Sequence, residues 1–234
     1  MTGRLDNFPR IPHFPGSCGT TDDLWLAEID QTALWQQPLV VLEKRDGINV
    51  ALACEPSGNV TVELRGGFHT FARGDLAREV WLYASQRAAA YRTVLGPHEV
   101  LYGEWLKPRL TIAYTRLPDW LIVFALRKRD GSFVPFVELA RRVGAVGLTV
   151  ATPLHVGPVR GLRELKRWLG PSPLGAAQME GLIVEPLQPG PGPRFAKWVR
   201  PGFVRRLPDV ALQKCNRLSK HARCLHDVSV MPKR

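Results

Sequence analysis

The chain has 234 residues, of which 45% are hydrophobic, and this length and composition fit one globular domain with a full core and exclude a disordered protein. Its formal net charge of +11 favours a polyanionic partner, and eight Lys and Arg against two Asp fall in residues 205–234. No apolar run approaches the ~20 residues of a membrane span and no signal pattern opens the chain, so we expect no membrane partner and a cytoplasmic location.

Residues 1–23 are rich in proline and glycine. Proline fixes φ and restricts the residue before it, so this stretch cannot form a helix. We predict an extended segment that lies across the surface. By itself, His13 is an ordinary turn histidine.

Residues 39–53 read as a strand, a tight turn at Asp46 and Gly47, and a second strand. Lys44 stands at the end of the first apolar run, which is unusual because lysine is strongly hydrated. The charge of Arg45 and the apolar strands would both lower the pKa of the Lys44 amine. A lysine that is neutral part of the time is a nucleophile.

The later elements follow from periodicity. Strands are predicted at residues 61–65, at 100–103, where Gly103 ends the strand, and after Glu180, and helices at 74–95, 136–143 and 162–169. Glu104 follows a glycine among large apolar residues. Because carboxylates are seldom buried unpaired, Glu104 is expected to meet a cation or a sugar hydroxyl. His155 has no visible partner in the sequence and is interpreted as structural.

The stretch Lys44-x-Asp46-Gly47-x-Asn49, where x is any residue, resembles the nucleotidyl-lysine motif of the covalent nucleotidyltransferases. That superfamily comprises RNA ligases, DNA ligases and mRNA capping enzymes. DNA ligases and capping enzymes usually have arginine at the position of Asn49, so asparagine there resembles an RNA ligase. A charged hairpin would also produce Lys-x-Asp-Gly, so the other motifs must distinguish the two interpretations.

Further motifs resemble those of RNA ligases, in the family's order. They are Arg65, 21 residues after the lysine; Gly-Glu-Trp at 103–105; the segment 111–126 with Phe124; Glu-Gly and a strand at 180–184; and 194–203 with Lys197. Residues 12–17 and 216–218 resemble the two ends of the ligase domain in a branch typified by a Deinococcus enzyme. The resemblance therefore extends over nearly the whole chain.

The resemblance implies that Lys44 attacks ATP and carries AMP as a phosphoramidate. The residues implied to bind the nucleotide are Glu43, Asn49, Arg65, Glu104, Phe124, Glu180, Lys197 and Arg200. Phe124 would stack on adenine, while Lys197 and Arg200 would face the triphosphate. A Mg²⁺ or Mn²⁺ ion would keep several waters, held by Asp46, Glu104 and Glu180.

The implied fold is α+β, a nucleotidyltransferase (ligase adenylation) domain with antiparallel β-sheets around a nucleotide cleft and flanking helices. It would span residues 1–204, followed by a short basic segment at 205–234 and no separate accessory domain. The implied reaction moves AMP to an RNA 5′-phosphate, which a 3′-hydroxyl then attacks to form a phosphodiester. RNA binding through the tail, a homodimer or an accessory protein would replace the missing domain.

Four residues depart from the family pattern, so other interpretations of the function stay open. Thr115 and Ala125 replace two aspartates, Glu185 replaces an arginine, and Val199 replaces a second lysine. The alternatives are a DNA ligase or a guanylyltransferase, and a catalytically degenerate ligase fold that binds RNA. In the tail, the cluster Cys215, His221, Cys224 and His226 is a zinc candidate whose spacing fits no common finger.

Overall fold

The computed structural model describes residues 5–65, 74–190, 192–204 and 214–222. These residues form two antiparallel four-stranded sheets with flanking helices, which confirms the predicted α+β class. The strands are β1 Leu39–Lys44, β2 Ile48–Cys54, β3 Val60–Leu64, β4 Val100–Trp105, β5 Leu121–Arg127, β6 Pro153–Gly157, β7 Gly181–Pro186 and β8 Ala196–Val199. The helices are α1 Glu28–Trp35, α2 Gly74–Ser85, α3 Ala88–Val94, α4 Phe136–Gly144 and α5 Leu162–Leu165, which a 3₁₀ turn, Lys166–Trp168, extends.

The first sheet has the order β6-β1-β7-β8 and the second has the order β3-β2-β4-β5. Strand β1 is buried on both faces. Val40 and Leu42 pack toward the second sheet and its helices, whereas Leu39 and Val41 pack into a separate core with α1 and α5. Burial on both faces explains why residues 39–42 are apolar without alternation.

The predicted hairpin between β1 and β2 is wrong, because the two strands belong to different sheets. Strand β1 pairs with β6 and β7, while β2 pairs with β3 and β4. The turn at Asp46 and Gly47 therefore carries the chain from one sheet to the other. A Cβ on Gly47 would lie 2.6 Å from Leu106 Cδ2 and 2.7 Å from Trp105 O, so glycine allows this close approach.

The helix predicted at 74–95 is broken after Ser85 and resumes at Ala88. The break is stabilised by Arg87, whose guanidinium donates to Tyr83 O and lies 3.9 Å from the centre of the Tyr83 ring. It leaves Tyr83 and Tyr91 both buried against the second sheet. The helix at 136–143 is confirmed, and the predicted connection around residue 155 contains the unpredicted strand β6.

The N-terminal segment is extended, as predicted, but it does not simply lie across the surface. Phe8, His13 and Phe14 are buried. The segment runs beside β8 and adds a short parallel pairing to the first sheet, with Lys197 N donating to Pro12 O and Phe14 N to Lys197 O, each at 2.9 Å. It thereby contributes side chains next to Lys197.

Residues 214–222 pack against the core through buried Asn216, Leu218 and Ala222. The described residues contain no His, Cys, Asp and Glu cluster that could hold a metal ion, and Cys224 and His226 lie outside them. Within the same ranges, every helix is too short or too polar to cross a membrane.

Candidate active site

A cavity of about 360 Å³ lies between the two sheets. Its wall is formed by Phe8, Arg10, Ile11, Asp23, Leu42, Glu43, Lys44, Arg45, Asn49, Arg65, Glu104, Phe124, Ile183, Phe195 and Lys197. A larger cavity, about 870 Å³, lies at the edge of the second sheet and is lined by Cys54, Arg92 and their neighbours. Because it contains none of the predicted site residues, the smaller cavity is the candidate active site.

Lys44 ends β1, opposite Gly181 of β7. Its Nζ lies 2.5 Å from Oε1 of Glu180, whose carboxylate is buried. The backbones of β7 and β8 come unusually close at Gly181, where a Cβ would lie 2.1 Å from Trp198 O of β8. The β7 backbone can therefore reach β8 and hold Glu180 beside the Lys44 amine.

Lys197, on β8, supplies a second amine to the cavity. Burial and the nearby charge of Lys44 lower the pKa of Lys197 to about 8, against the opposing influence of Asp23 and Glu180. The Asp23 Oδ1 atom lies 3.8 Å from its Nζ. Two cations in one cleft are suited to hold the oxygens of a polyphosphate.

His13 connects the N-terminal segment to this cation. Its Nδ1 lies 2.7 Å from Ser17 Oγ, which accepts a hydrogen bond from Val199 N, and its Nε2 lies 3.3 Å from Asp23 Oδ1. Burial and the charge of Lys197 lower the pKa of His13 to about 4, so the ring is neutral near pH 7. His13 therefore positions Asp23 without adding charge.

The opposite wall is aromatic. Phe124, on β5, lines the cavity and meets the ring of Phe8 edge-on, with 5.1 Å between ring centres. Phe8 also contacts Tyr102, Phe133 and Phe195 in edge-on geometry. This packing holds the Phe124 ring in place at the wall, where a flat ring of a ligand can stack on it.

Glu43 and Arg45, on either side of Lys44, also reach the cavity wall. Ser172 Oγ donates to Glu43 Oε2 at 3.0 Å. Burial raises the pKa of the Glu43 carboxyl, and the charge of Arg45 opposes that shift. Burial lowers the pKa of Arg45.

The pairing of β2 with β4 places Asn49 opposite Glu104, and Arg65 N donates to Asn49 O at 3.0 Å. All three residues line the cavity. Glu104 also accepts from Gly47 N at 3.1 Å, so it contacts the turn that follows Lys44. The second sheet thus brings together three of the predicted nucleotide-binding residues.

Asp46 does not line the cavity, and its expected part in holding a metal stays a prediction. Its carboxylate is buried, and Oδ2 accepts hydrogen bonds from the amides of Thr111 and Ile112 at 2.6 and 2.8 Å. Asp46 N donates to Tyr114 Oη at 2.9 Å. These bonds hold the loop behind the cleft.

Arg200 does not line the cavity either, and its expected contact with the triphosphate stays a prediction. Its Nε donates to Met179 O at 3.0 Å, and its guanidinium lies 5.2 Å from the centre of the Phe203 ring. The backbone turns after Val199, where β8 ends. A position one residue beyond the strand therefore does not share the direction of Lys197.

The four departures from the family pattern also lie away from the wall. Thr115 is exposed, whereas Ala125 and Val199 are buried in the core. Glu185 is buried and lies 2.6 Å from Arg194, and burial raises its pKa to about 7. None of the four changes the residues that face the cavity.

The carboxylates beside Lys44 offer oxygens to a hydrated divalent cation, although the described residues form no cluster that would hold a metal ion directly. Glu180 Oε2 and Glu43 Oε1 are buried and have no hydrogen-bond partner within the described ranges. Buried polar atoms normally have partners, and carboxylate oxygens are the ligands that Mg²⁺ and Mn²⁺ prefer, directly or through water. Glu104 adds a third carboxylate on the facing sheet.

The wall residues that the sequence did not indicate include Phe8, Arg10, Asp23 and Arg45. Three of them belong to the irregular N-terminal segment, where no periodicity marks a face. The sequence signal for Arg45 is its position next to Lys44, which predicts electrostatic repulsion of the Lys44 amine and no contact with the cavity.

The fold of two antiparallel sheets with flanking helices is similar to that of solved RNA ligases. An archaeal ATP-dependent RNA ligase matches with a TM-score of 0.54 and 21% identity, over 83% of this chain and 48% of that one. A mutant apo structure of the Naegleria gruberi RNA ligase matches with a TM-score of 0.52 and 14% identity, over 71% and 50%. The Naegleria gruberi enzyme with PPi has a TM-score of 0.50 and 17% identity, over 84% and 61%.

The family model described as RNA ligase matches residues 37–199, and the chain therefore belongs to the RNA ligase family. No curated protein sequence matched the chain. The chain spans about half the length of the first two ligases, and at these identities the structures show the fold alone. The resemblance to the Deinococcus branch stays a prediction.

Proposed function

We propose that the protein is an ATP-dependent RNA ligase that carries AMP on Lys44. The observation that supports this most directly is the Lys44 amine in the cleft, 2.5 Å from buried Glu180 and on the same wall as Lys197. Among the structural neighbours are an ATP-dependent RNA ligase and Naegleria gruberi ligases with PPi and with AMP and Mn.

In the first step, the neutral amine of Lys44 attacks the α-phosphorus of ATP. A phosphorus–nitrogen bond forms, the bond to the bridging oxygen breaks, and pyrophosphate leaves. Glu180 Oε1 is within reach to accept the proton that the amine loses. Lys197 neutralises charge on the phosphate oxygens during the transfer.

The other cavity residues hold the nucleotide. Phe124 stacks on adenine, while Glu43, Asn49 and Arg65 contact the nucleoside and the phosphates. Glu104 and Glu180 hold the water shell of Mg²⁺ or Mn²⁺, and the cation supplies further neutralisation of phosphate charge.

In the later steps, AMP passes from Lys44 to an RNA 5′-phosphate, and a 3′-hydroxyl displaces it to form the phosphodiester. The degenerate-ligase alternative receives no support from the cleft, because Thr115, Ala125, Glu185 and Val199 all lie off its wall. A DNA ligase or another nucleotidyltransferase is distinguished by its nucleotide and its strand.

The test is incubation with α-labelled ATP and Mg²⁺ or Mn²⁺, followed by denaturing electrophoresis. We expect label on the wild type and on Lys128→Ala, an exposed lysine outside the cleft, and none on Lys44→Ala. Label on Lys44→Ala would overturn the assignment. Label from GTP but not from ATP would indicate a guanylyltransferase, and no label from either would favour the degenerate ligase.

A further inference from the structure

Two segments pair beside the cleft, residues 107–117 and residues 214–222. Five backbone hydrogen bonds of 2.8–3.0 Å join them: Arg109 N to Lys214 O, Asn216 N to Lys107 O, Arg217 N to Tyr114 O, Leu117 N to Arg217 O, and Ser219 N to Leu117 O. The pairing brings together stretches that are about a hundred residues apart in the sequence. We call their exposed surface the basic face.

The basic face collects five exposed cations, Arg109, Arg116, Lys214, Arg217 and Lys220. Neither segment contains an Asp or a Glu. A sixth cation, Lys107, forms an ion pair with Glu79, but none of the five has such a partner within the described part of the chain. Like charges fixed this close repel one another, so the surface is suited to a polyanion that neutralises them.

The basic face is anchored to the core and is not a loose tail. Asn216 is buried, its Oδ1 accepting from Tyr114 N at 2.9 Å and its Nδ2 donating to Leu106 O at 2.7 Å. Leu218 and Ala222 are also buried in the main core. The backbone that carries the cations is therefore held in place, which reduces the entropy lost when they bind a ligand.

Hydrogen bonds also connect the basic face to the active site. Tyr114 Oη accepts from Asp46 N, and the Asp46 carboxylate accepts from the amides of Thr111 and Ile112. Asp46 is two residues from Lys44. The segment that carries part of the basic face is therefore hydrogen-bonded to the turn that follows Lys44.

We propose that the basic face binds the phosphodiester backbone of the RNA whose end is joined. The identification of the ligand as RNA rests on the proposed function, whereas the preference for a backbone of linked phosphates rests on the positive charges of the basic face. The planar guanidinium of arginine can donate two parallel hydrogen bonds to phosphate oxygens, and three of the five cations are arginines. Contacts of this kind position a strand without reading its sequence.

The test compares two triple variants with the same loss of charge. The first is Arg109→Ala, Arg116→Ala and Arg217→Ala on the basic face, and the matched control is Arg129→Ala, Arg141→Ala and Arg163→Ala, three exposed arginines outside the two segments. The affinity for a 5′-phosphorylated single-stranded RNA is measured by fluorescence anisotropy at several salt concentrations.

We expect the first variant to bind about tenfold or more weakly, and its slope of log affinity against log salt to fall by about 2, since each lost phosphate contact removes about 0.7. The control should keep the wild-type slope. Equal losses in both variants, no loss in the first, or a wild type that does not bind RNA would each overturn the proposal.

Two further measurements separate folding and chemistry from RNA binding. The variant Arg109→Lys, Arg116→Lys and Arg217→Lys should restore most of the affinity, and all variants should unfold at the wild-type temperature. The alanine variant should still form lysyl-AMP without RNA, because its substitutions lie outside the cavity. If the wild type forms no lysyl-AMP but RNA binding depends on the basic face, the proposed function fails and the binding surface stands.

Discussion

Lys44 and Glu180 form the closest charged contact of the active site, at 2.5 Å. A buried carboxylate beside an amine serves two needs of the proposed reaction. It accepts the proton that the amine must lose, and it offers an oxygen to a hydrated cation. Its role can be separated from simple burial because β7, which begins just after Glu180, carries another buried glutamate, Glu185.

We expect Glu180→Gln to slow lysyl-AMP formation at least about 100-fold, because an amide neither accepts the proton nor neutralises a cation. The rate is measured as label transferred from α-labelled ATP. The control is Glu185→Gln, which breaks the pair with Arg194 outside the cleft and should affect stability more than rate. Equal slowing in both variants would contradict a chemical role for Glu180.

The lowered pKa of Lys197 predicts that anion binding depends on pH. With a pKa of about 8, it carries its charge below pH 8 and loses it above. Burial lowers the pKa of Lys197 most, and the charges of Lys44 and Arg65 lower it further. The charges of Asp23 and Glu180 raise it.

We therefore expect the affinity for inorganic pyrophosphate to fall as the pH rises from 7 to 9, by up to about tenfold per unit above pH 8. Calorimetric titration measures it. Lys197→Ala should bind more weakly at pH 7 and show a flatter profile. An unchanged profile in that variant would assign the titration to another group.

At the scale of elements, the junction between β1 and β2 sets the shape of the active site. Gly47 allows the chain to pass against β4 on its way from one sheet to the other. Since Lys44 ends β1 and Asn49 lies on β2, this crossing places the proposed nucleophile and a proposed nucleotide-binding residue at one cleft.

We expect Gly47→Ala to lower the free energy of unfolding by about 1–3 kcal/mol, because its Cβ would lie 2.7 Å from the backbone oxygen of Trp105. Denaturant unfolding measures the change. Gly144→Ala is the matched control, since a Cβ there would meet no atom within 4 Å and alanine favours the helix. Similar losses in both would refute the close-approach argument.

The N-terminal segment predicts a second pH effect through His13. Its pKa is about 4 in the folded chain and about 6.5 unfolded, so between these values the unfolded state binds more protons. Stability should therefore fall as the pH decreases from 6.5 to 4, by up to about 3 kcal/mol from this group. Unfolding of the wild type and of His13→Asn at pH 4.5 and 7 measures it. The same pH dependence in both would exclude His13 as its source.

At the scale of the molecule, the cleft and the basic face form one connected unit through the loop at 107–117. This arrangement bears on the three hypotheses for how the chain binds RNA, namely through its tail, as a homodimer or with an accessory protein. If the basic face holds the strand, one chain needs neither a second copy nor another protein to bind RNA.

We therefore expect light scattering to give the mass of one chain, alone and with one RNA strand bound. A dimer in either state would instead support the homodimer hypothesis. A single chain that forms lysyl-AMP but does not join RNA ends would support an accessory protein.

Much of the cleft was predictable because its chemistry needs particular residue types at particular places. Lys44, Glu104, Phe124 and Lys197 were indicated by short motifs, and the structure brings all of them to one cavity. Asp46 and Arg200 belong to the same motifs but face elsewhere. A motif specifies spacing along the chain, whereas the direction of a side chain depends on the hydrogen bonds made by its neighbours.

The sequence by itself determined the α+β class, most strands and the family, since apolar periodicity and motif order are local properties of the chain. Only the tertiary structure decided that β1 and β2 part into two sheets and that Asp23 meets Lys197. It alone paired residues 107–117 with 214–222 into one basic face. These features depend on which distant segments share backbone hydrogen bonds and buried surface, and the pattern of one segment does not specify its partner.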